Sequence, residues 1–157
     1  SRRVLNRGNK LHSAIEDYLN NEDNPKQSLA PNEQILFDQM QDELDKIDNI
    51  YAQEVPLWSS LLKLAGRVDC VAEYNGELSI IDFKGSTREK RKSDIGNYFM
   101  QATAYSIMFQ ERTGIKIDNI VILVSCEDGT VQSFVDNPIN YTKSLYECIQ
   151  KYRKRFN

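Results

Sequence analysis

Apolar residues recur at helical spacing in four stretches of the chain, two of them close to the N-terminus and one at the C-terminal end. This spacing predicts helices over about 4–20, 32–48, 95–112 and 139–156. A polar, proline-punctuated segment separates the first two. A Thr-Gly pair is typical of the end of the third helix, and an Asn-Pro pair is typical of the start of the fourth.

Between the second and third helices the pattern changes to alternation of apolar and polar residues. Alternation here, together with two later apolar runs, predicts strands over 51–58, 61–74, 78–83, 120–124 and 131–135. Asn75-Gly76 favours a two-residue hairpin, because both residues tolerate positive φ. The predicted order is α-α-β-β-β-α-β-β-α, which indicates an α/β protein with a mixed central sheet flanked by helices.

Composition is that of a globular protein, with 40% apolar and 27% charged residues. The length predicts one domain over 1–157, and no apolar run is long enough to predict a membrane span. A net charge of -3 argues against a protein that coats nucleic acid through bulk charge, although a local basic path remains compatible with it. Three widely spaced cysteines without a Cys-x-x-Cys pair argue against zinc or iron–sulfur sites and favour a reducing compartment.

The most informative segment is Gly-x-x-Asp at Asp69 followed by Asp-x-Lys at Asp82 and Lys84. Residues i and i+2 of a strand share a face, so Asp82 and Lys84 point the same way. The hairpin at Asn75-Gly76 folds the strand with Asp69 back beside the strand with Asp82. We therefore expect two carboxylates and one ammonium group in one patch.

Such a patch favours a hard divalent cation such as Mg²⁺, which prefers oxygen ligands. The backbone carbonyl of Phe83, at a strand end, offers another oxygen. A bound cation activates water and stabilises the charge that develops on a phosphate, and Lys84 can assist. The competing interpretation is an ordinary Asp–Lys pair on the surface of an amphipathic strand. The added carboxylate of Asp69 favours the metal site.

His12 is the only histidine, and it lies four residues before Glu16 on the first predicted helix. Residues at this spacing share one helix face. A neutral imidazole can complete a metal shell, and Glu16 can orient it or a water molecule. A helical histidine on its own is more often a packed or solvated residue.

These motifs together resemble the PD-(D/E)XK nuclease superfamily, and in particular its RecB-type exonuclease branch. The helix reads Gly-x-x-x-His-x-x-x-Glu around His12, the two carboxylate motifs follow, and Gln101 and Tyr105 form a Gln-x-x-x-Tyr pair. Within that branch the chain is most similar to the exonucleases of mitochondrial genome maintenance and their phage and bacterial relatives. The resemblance implies the restriction-endonuclease-like fold.

The resemblance also implies roles for individual residues. Asp69, Asp82 and His12 would bind Mg²⁺ or Mn²⁺, and Lys84 would be the catalytic lysine. Gln101 and Tyr105 would support the active site or contact DNA, although an ordinary amphipathic helix explains the pair too. Val68 stands where the family name has proline, and Gly85 stands where relatives often have Thr or Ser, so that Ser86 would substitute.

Basic residues cluster directly after the strand that carries Asp82 and Lys84, and again near His12. The candidate nucleic-acid-binding residues are Arg7, Ser86, Arg88, Lys90, Arg91 and Lys92. Cationic side chains beside a metal site would hold phosphates and release counterions. The alternative is that these charges form a solvated surface, as charged loops usually do.

We interpret the chain as a Mg²⁺- or Mn²⁺-dependent deoxyribonuclease that hydrolyses phosphodiester bonds as an exonuclease. A preference for single-stranded DNA ends, and partners in replication or recombination, are implied by the resemblance alone. No P-loop or membrane span is predicted, so neither a nucleotide cofactor nor a membrane partner is expected. The alternatives are a structure- or site-specific endonuclease, an inactive nuclease-like DNA-binding module, and a metal hydrolase of another kind. The expected location is a bacterial or phage-infected cytoplasm, or the mitochondrial matrix after removal of a targeting segment.

Overall fold

The computed structural model of the protein describes the backbone of residues 2–156 and the side chains of residues 10–155. Its helices are α1 (Arg2–Leu19), α2 (Pro31–Leu44), α3 (Gly96–Thr113) and α4 (Thr142–Phe156). Short 3₁₀ turns at Lys92–Asp94 and Pro138–Asn140 precede α3 and α4. None of the described helices is both long and apolar enough to cross a membrane.

The strands form one sheet in the order of the chain. They are β1 (Ile47–Ser59), β2 (Leu64–Tyr74), β3 (Glu77–Ser86), β4 (Asn119–Cys126) and β5 (Val131–Asp136). All neighbours are antiparallel except β3 and β4, which are parallel and are joined through α3. The predicted element order and the mixed α/β class are confirmed.

Residues 45–48 were expected at the end of the second helix, and the structure places Ile47 and Asp48 in β1 instead. The helix ends at Leu44, after which Ile47 lies opposite Tyr74 and Asp48 opposite Glu73. Ile47 continues the helical spacing of apolar residues, but pairing with β2 satisfies its backbone. The helix prediction was therefore wrong at this boundary.

Other boundaries also differ from the sequence prediction. β3 continues to Ser86, so Phe83 lies within the strand and not at its end as expected. Leu61 lies in the turn between β1 and β2, where its side chain is 74% exposed. Lys63 has a φ of 54°, which is typical of a tight turn and uncommon in a regular strand. Ile139 lies in a 3₁₀ turn, and α4 starts three residues later. The hairpin at Asn75-Gly76 forms as predicted, with φ of 51° and 84°.

Two hydrophobic cores cover the two faces of the sheet. On one face α1 and α2 pack against side chains that include Ile81 and Phe83. On the other face α3 and α4 pack against side chains that include Ile80. Because neighbouring residues of a strand alternate in direction, Asp82 and Lys84 share the α3 face with Ile80. Burial on both sides holds β3 rigidly at the centre of the molecule.

β2 and β3 separate after a short stretch of pairing. Their register runs from Tyr74 opposite Glu77 to Cys70 opposite Ile81. Beyond that point β2 continues alongside β1, and β3 continues alongside β4. The two strands thus open a gap at the centre of the sheet. Backbone N–H and C=O groups that face the gap are not paired between β2 and β3, so side chains can hydrogen-bond to them.

Candidate active site

Asp69 and Asp82 lie where β2 and β3 part. The backbone N–H of Phe83 donates a hydrogen bond to Asp69 Oδ2 at 3.0 Å, which spans the gap between the strands. His12 enters from α1, with Nε2 at 2.7 Å from the Phe83 carbonyl oxygen and 3.5 Å from Asp69 Oδ2. The structure therefore brings His12, Asp69 and the Phe83 carbonyl together, with Asp82 in hydrogen-bond contact with Asp69.

Packing of α1 explains the placement of His12. Leu11, Ala14 and Ile15 are buried against α2 and the sheet. These side chains fix the rotation of the helix, because they fill one face of it. His12 lies at the border of that buried face and is directed toward the gap, where its side chain is 30% exposed.

Lys84 is held beside Asp82 on the α3 face. Its Nζ lies 3.3 Å from Asp82 Oδ2 and 4.6 Å from the centroid of the Tyr98 ring on α3. A cation over an aromatic face is attracted to it, so Tyr98 restricts the lysine side chain. The ammonium group is thereby kept next to the carboxylates.

Asp82 is only 8% exposed, and its described partners are Lys84, in an ion pair at Oδ2, and the carboxyl group of Asp69. Burial, a hydrogen bond with the Asp82 carboxyl group and its negative charge together raise the pKa of Asp69 to about 9. Two buried carboxyl groups this close resist ionising together. A divalent cation would displace the proton of Asp69 and compensate both carboxylate charges.

Glu54 belongs to the same cluster and was not anticipated from the sequence. Ligand atoms of His12, Glu54 and Asp69 all lie within 4.8 Å of one another. Glu54 has a φ of 51°, a left-handed conformation that is uncommon for such a residue. It lies across the sheet from Asp69, since Gln53 is opposite Cys70 and Val55 opposite Val68. Nothing local marks this residue, because its proximity to Asp69 depends on strand pairing.

Arg67 is the partner of Glu54 at the mouth of the site. Its Nε lies 3.0 Å from Glu54 Oε2, and its side chain is 67% exposed. Both residues line a polar cavity of about 310 Å³ with His12, Ser13 and Glu16. Burial, and next the charge of Glu54, raise the pKa of the Glu16 carboxyl. The structure therefore places Glu16 beside the cluster.

Tyr105 and Gln101 lie on α3, on the other side of the gap. Tyr105 is in close contact with Gly66, where an added Cβ would lie 2.8 Å from Cε1 of the ring. Burial raises the pKa of Tyr105, and the charges of Asp82 and Asp69 raise it further. Gln101 is exposed one helical turn earlier.

The basic segment begins directly at the end of β3. The Ser86 hydroxyl donates to the carbonyl oxygen of Arg88 at 2.7 Å. The N–H of Lys90 donates to Gln132 Oε1, and the Lys90 carbonyl accepts from Gln132 Nε2, both at 2.8 Å. These bonds hold the segment against β5. Arg88 is exposed and Lys90 is half-buried.

Two of the remaining cationic residues have acidic partners. Arg91 Nε lies 3.3 Å from Asp94 Oδ2, and the arginine side chain stays highly exposed. Lys92 Nζ lies 2.9 Å from Asp136 Oδ2, on a carboxylate that is largely buried. Lys92 is thus tied to β5. Arg7 lies outside the residues whose side chains are described.

Comparison with known proteins agrees with this arrangement. The family model described as PD-(D/E)XK nuclease superfamily matches residues 9–138. The protein therefore belongs to the PD-(D/E)XK nuclease superfamily, and the expected family is confirmed. The matched residues extend from α1, before His12, to the 3₁₀ turn after β5.

The relatives with curated names are vertebrate mitochondrial proteins. Mitochondrial genome maintenance exonuclease 1 is 30% identical over 136 residues in Mus musculus, 29% over 137 residues in Homo sapiens and 30% over 132 residues in Xenopus tropicalis. The alignments cover 81% of this chain and 38% of each relative. The chain therefore corresponds to little more than a third of those proteins.

A solved structure shares the fold at low sequence identity. It is the crystal structure of a candidate exonuclease from Eubacterium rectale, with a TM-score of 0.57 and 15% identity. The match covers 95% of this chain and 65% of that one. The similarity confirms that the sheet and helices have the arrangement expected of this superfamily.

Proposed function

We propose that the protein is a metal-dependent DNA exonuclease that hydrolyses phosphodiester bonds and prefers single-stranded ends. The observation that carries this proposal is the adjacent pair of largely buried carboxyl groups of Asp69 and Asp82, with His12 and the Phe83 carbonyl oxygen beside Asp69. Two such carboxyl groups resist ionising together, and a bound divalent cation would compensate both charges. The exonuclease names of the relatives support the choice of reaction.

The donor set fits Mg²⁺ or Mn²⁺. Asp69, Asp82 and the Phe83 carbonyl supply oxygens, and His12 supplies one nitrogen, a combination that Mn²⁺ accepts readily. Glu54 is a further carboxylate within reach of His12 and Asp69. When bound, the ion supplies activation of water and stabilisation of charge on the phosphate.

The remaining residues of the site act on the substrate and on the proton balance. Lys84 is placed to stabilise charge that develops on the phosphate, because Tyr98 and Asp82 hold its ammonium group. The Tyr105 hydroxyl lies near the carboxylates on the α3 side, and Gln101 faces solvent beside it. Glu16 lines the same polar cavity as His12, where it would orient the imidazole or a water molecule.

DNA would approach along the segment that follows β3. Its members are Ser86, Arg88, Lys90, Arg91 and Lys92, with Arg7 added from the sequence. Arg88 and Lys90 are the strongest candidates for binding phosphates, because Arg91 is paired with Asp94 and Lys92 with Asp136. The proposal also includes a preference for single-stranded DNA and partners in replication or recombination. It places the protein in the mitochondrial matrix or in bacterial or phage-infected cytoplasm, and it treats residues 1–157 as a single domain.

Digestion of DNA labelled at one end tests this function. We expect degradation of linear single-stranded DNA with Mg²⁺ or Mn²⁺, slower degradation of duplex DNA, and none in EDTA. Circular single-stranded DNA should remain intact. Cleavage of the circle would indicate an endonuclease, and binding without cleavage under any metal would indicate an inactive DNA-binding module.

A further inference from the structure

A second cavity lies on the α3 side of the gap, between β2, α3 and α4. Its volume is about 290 Å³, and it is lined by Leu64, Met100, Ala104, Tyr105, Met108 and Leu145. Resting on the proposed function, we propose that this cavity binds the base of a DNA nucleotide that flanks the scissile phosphate. It would orient the strand while the phosphate occupies the site at Asp69 and Asp82.

Tyr105 connects the cavity with the proposed metal site. Its ring lines the cavity, and the charges of Asp82 and Asp69 raise the pKa of its hydroxyl. Ala65, another lining residue, precedes Asp69 by four positions on β2, which is about 13 Å at ~3.3 Å per residue. Stacked nucleotides are spaced by about 3.4 Å. A strand held at Asp69 therefore reaches the cavity within about four nucleotides, and in fewer when extended.

The lining suits a base better than a phosphate or an ion. Met100 and Met108 offer polarisable thioethers that pack against flat aromatic faces. Asn97 and Gln101 supply amides at the rim, and an amide both donates and accepts hydrogen bonds, as a base edge does. No charged side chain lines the cavity. The phosphates would follow the cationic side of the gap, where Lys84 lies.

Cys148 provides a direct test, since it lines this cavity and is exposed, while Cys70 and Cys126 are buried. Burial raises the pKa of the Cys70 thiol to about 12, which makes it still less reactive. A maleimide should therefore label one site of the native protein. We expect a saturating single-stranded oligonucleotide in EDTA to slow this labelling at least fivefold, and a polyphosphate of equal charge to leave it unchanged.

Substrates with one abasic nucleotide provide the second test. In each substrate all linkages except one are methylphosphonates, so that only one phosphodiester can be cleaved. The abasic nucleotide is placed in turn at each of the four positions on either side of that phosphodiester. We expect one or two adjacent positions to slow cleavage at least tenfold in the wild type. In Cys148→Phe, which fills the cavity, that position dependence should disappear. Glu147→Phe adds the same ring to an exposed position of α4 and should retain it, with melting temperatures recorded for both.

The outcomes separate this proposal from the exonuclease proposal. Normal cleavage with unprotected Cys148 and no sensitive abasic position would overturn the base-binding cavity and leave the exonuclease intact. Protection of Cys148 by apolar peptides and not by DNA would also overturn it, in favour of a protein partner. If no DNA is bound or cleaved under any metal, the exonuclease proposal itself is wrong.

Discussion

At the scale of single residues, the site combines groups that the fold would otherwise avoid. Asp82 is buried with Lys84 as its ion-pair partner, and Asp69 carries a strongly raised pKa beside it. Glu54 adopts a left-handed backbone conformation next to Asp69 and His12. Adjacent buried carboxylates and strained backbone reduce stability, and they concentrate at functional sites. For Asp82 and Asp69 this leads to predictions in which stability and function change in opposite directions.

Asp82→Asn should abolish cleavage and stabilise the metal-free protein. The substitution removes a buried charge that repels Asp69, and the partly exposed Lys84 can exchange its ion-pair partner for water. We expect a net gain of about 0.5–2 kcal/mol in the free energy of unfolding. Urea denaturation in EDTA and the end-labelled DNA assay measure the two effects. Asp118→Asn is the matched control, since Asp118 is exposed on the loop before β4 and should change neither. Undiminished cleavage by Asp82→Asn would remove Asp82 from the site.

The raised pKa of Asp69 predicts how stability depends on pH. Between its ordinary value of 3.8 and about 9, the folded protein holds a proton that the unfolded chain has lost. The unfolded state then binds fewer protons, so the free energy of unfolding falls as pH rises through this window. Below about pH 4 both states are protonated, and the stabilising contribution is complete.

Asp69→Asn removes the titratable group, so comparing its stability with that of the wild type isolates the contribution of Asp69. The stability difference between Asp69→Asn and wild type, determined by urea denaturation in EDTA, should grow from pH 5 to pH 9 in favour of the variant. Saturating Mn²⁺ should reverse the trend for wild type, because the ion displaces the proton. A difference that stays constant across this range would show that Asp69 is ionised at neutral pH.

Glu54→Gln should weaken metal binding without unfolding the protein. The amide keeps the size of the side chain and removes the charge near His12 and Asp69. We expect Mn²⁺ affinity to fall by about 10- to 100-fold, the range seen when groups that support metal ligands are lost. Isothermal titration measures this, with Glu77→Gln on the exposed hairpin as control. Unchanged affinity would restrict Glu54 to its ion pair with Arg67.

At the scale of elements, the position of α3 depends on a glycine in β2. Gly66 lets the Tyr105 ring lie against the backbone of β2, and the carboxylates are three residues farther along and across the gap. Sequence reasoning associated this glycine with Asp69 through the Gly-x-x-Asp motif. The structure shows a packing reason for it, since any larger residue would meet the tyrosine ring.

Gly66→Ala should therefore destabilise the protein and slow cleavage. The added methyl group would lie 2.8 Å from Tyr105 Cε1, and such overpacking costs about 1–3 kcal/mol. Thermal denaturation and the DNA assay should both respond. Gly96→Ala is the matched control, because nothing lies within 4 Å of an added Cβ at the start of α3. Wild-type stability in Gly66→Ala would mean that Tyr105 moves aside without cost.

At the scale of the whole molecule, the site lies between the two cores. β2 and β3 part at the centre of the sheet, α1 supplies His12 from one face, and α3 supplies Tyr105 from the other. A cation bound here would connect both halves of the fold. The acidic net charge of the chain does not exclude a local cationic path, because Lys84 lies beside Asp82 and Arg88 and Lys90 follow it on the segment after β3.

Mn²⁺ should therefore raise the stability of the entire protein. A ligand that binds only the folded state adds about 2.7 kcal/mol at one hundred times its dissociation constant. For a domain of this size each kcal/mol raises the melting temperature by about 2–4 °C. Differential scanning fluorimetry with Mn²⁺, and with Asp82→Asn as comparison, measures the effect. An equal shift in both proteins would place the bound ion elsewhere.

The sequence by itself determined the order of the elements, the Asn75-Gly76 hairpin, the mixed α/β class and the family. These depend on hydrophobic periodicity, turn chemistry and short motifs, which are local properties. The convergence of His12 on Asp69 and Asp82 could also be anticipated, because the hairpin and a family resemblance pointed to it. Their roles in catalysis stay predictions.

Only the tertiary structure decided the start of β1 at Ile47, the arrival of Glu54 beside Asp69, and the pairing of Lys92 with Asp136. In each case the contact joins residues that are far apart in the chain, and no local pattern encodes it. At Ile47, pairing with β2 determined the structure although the spacing of apolar residues is helical. At Glu54, a left-handed backbone conformation within the edge strand β1 accompanies the position of its side chain near Asp69. The free energy of such contacts depends on burial and partners, which exist only once the sheet has formed.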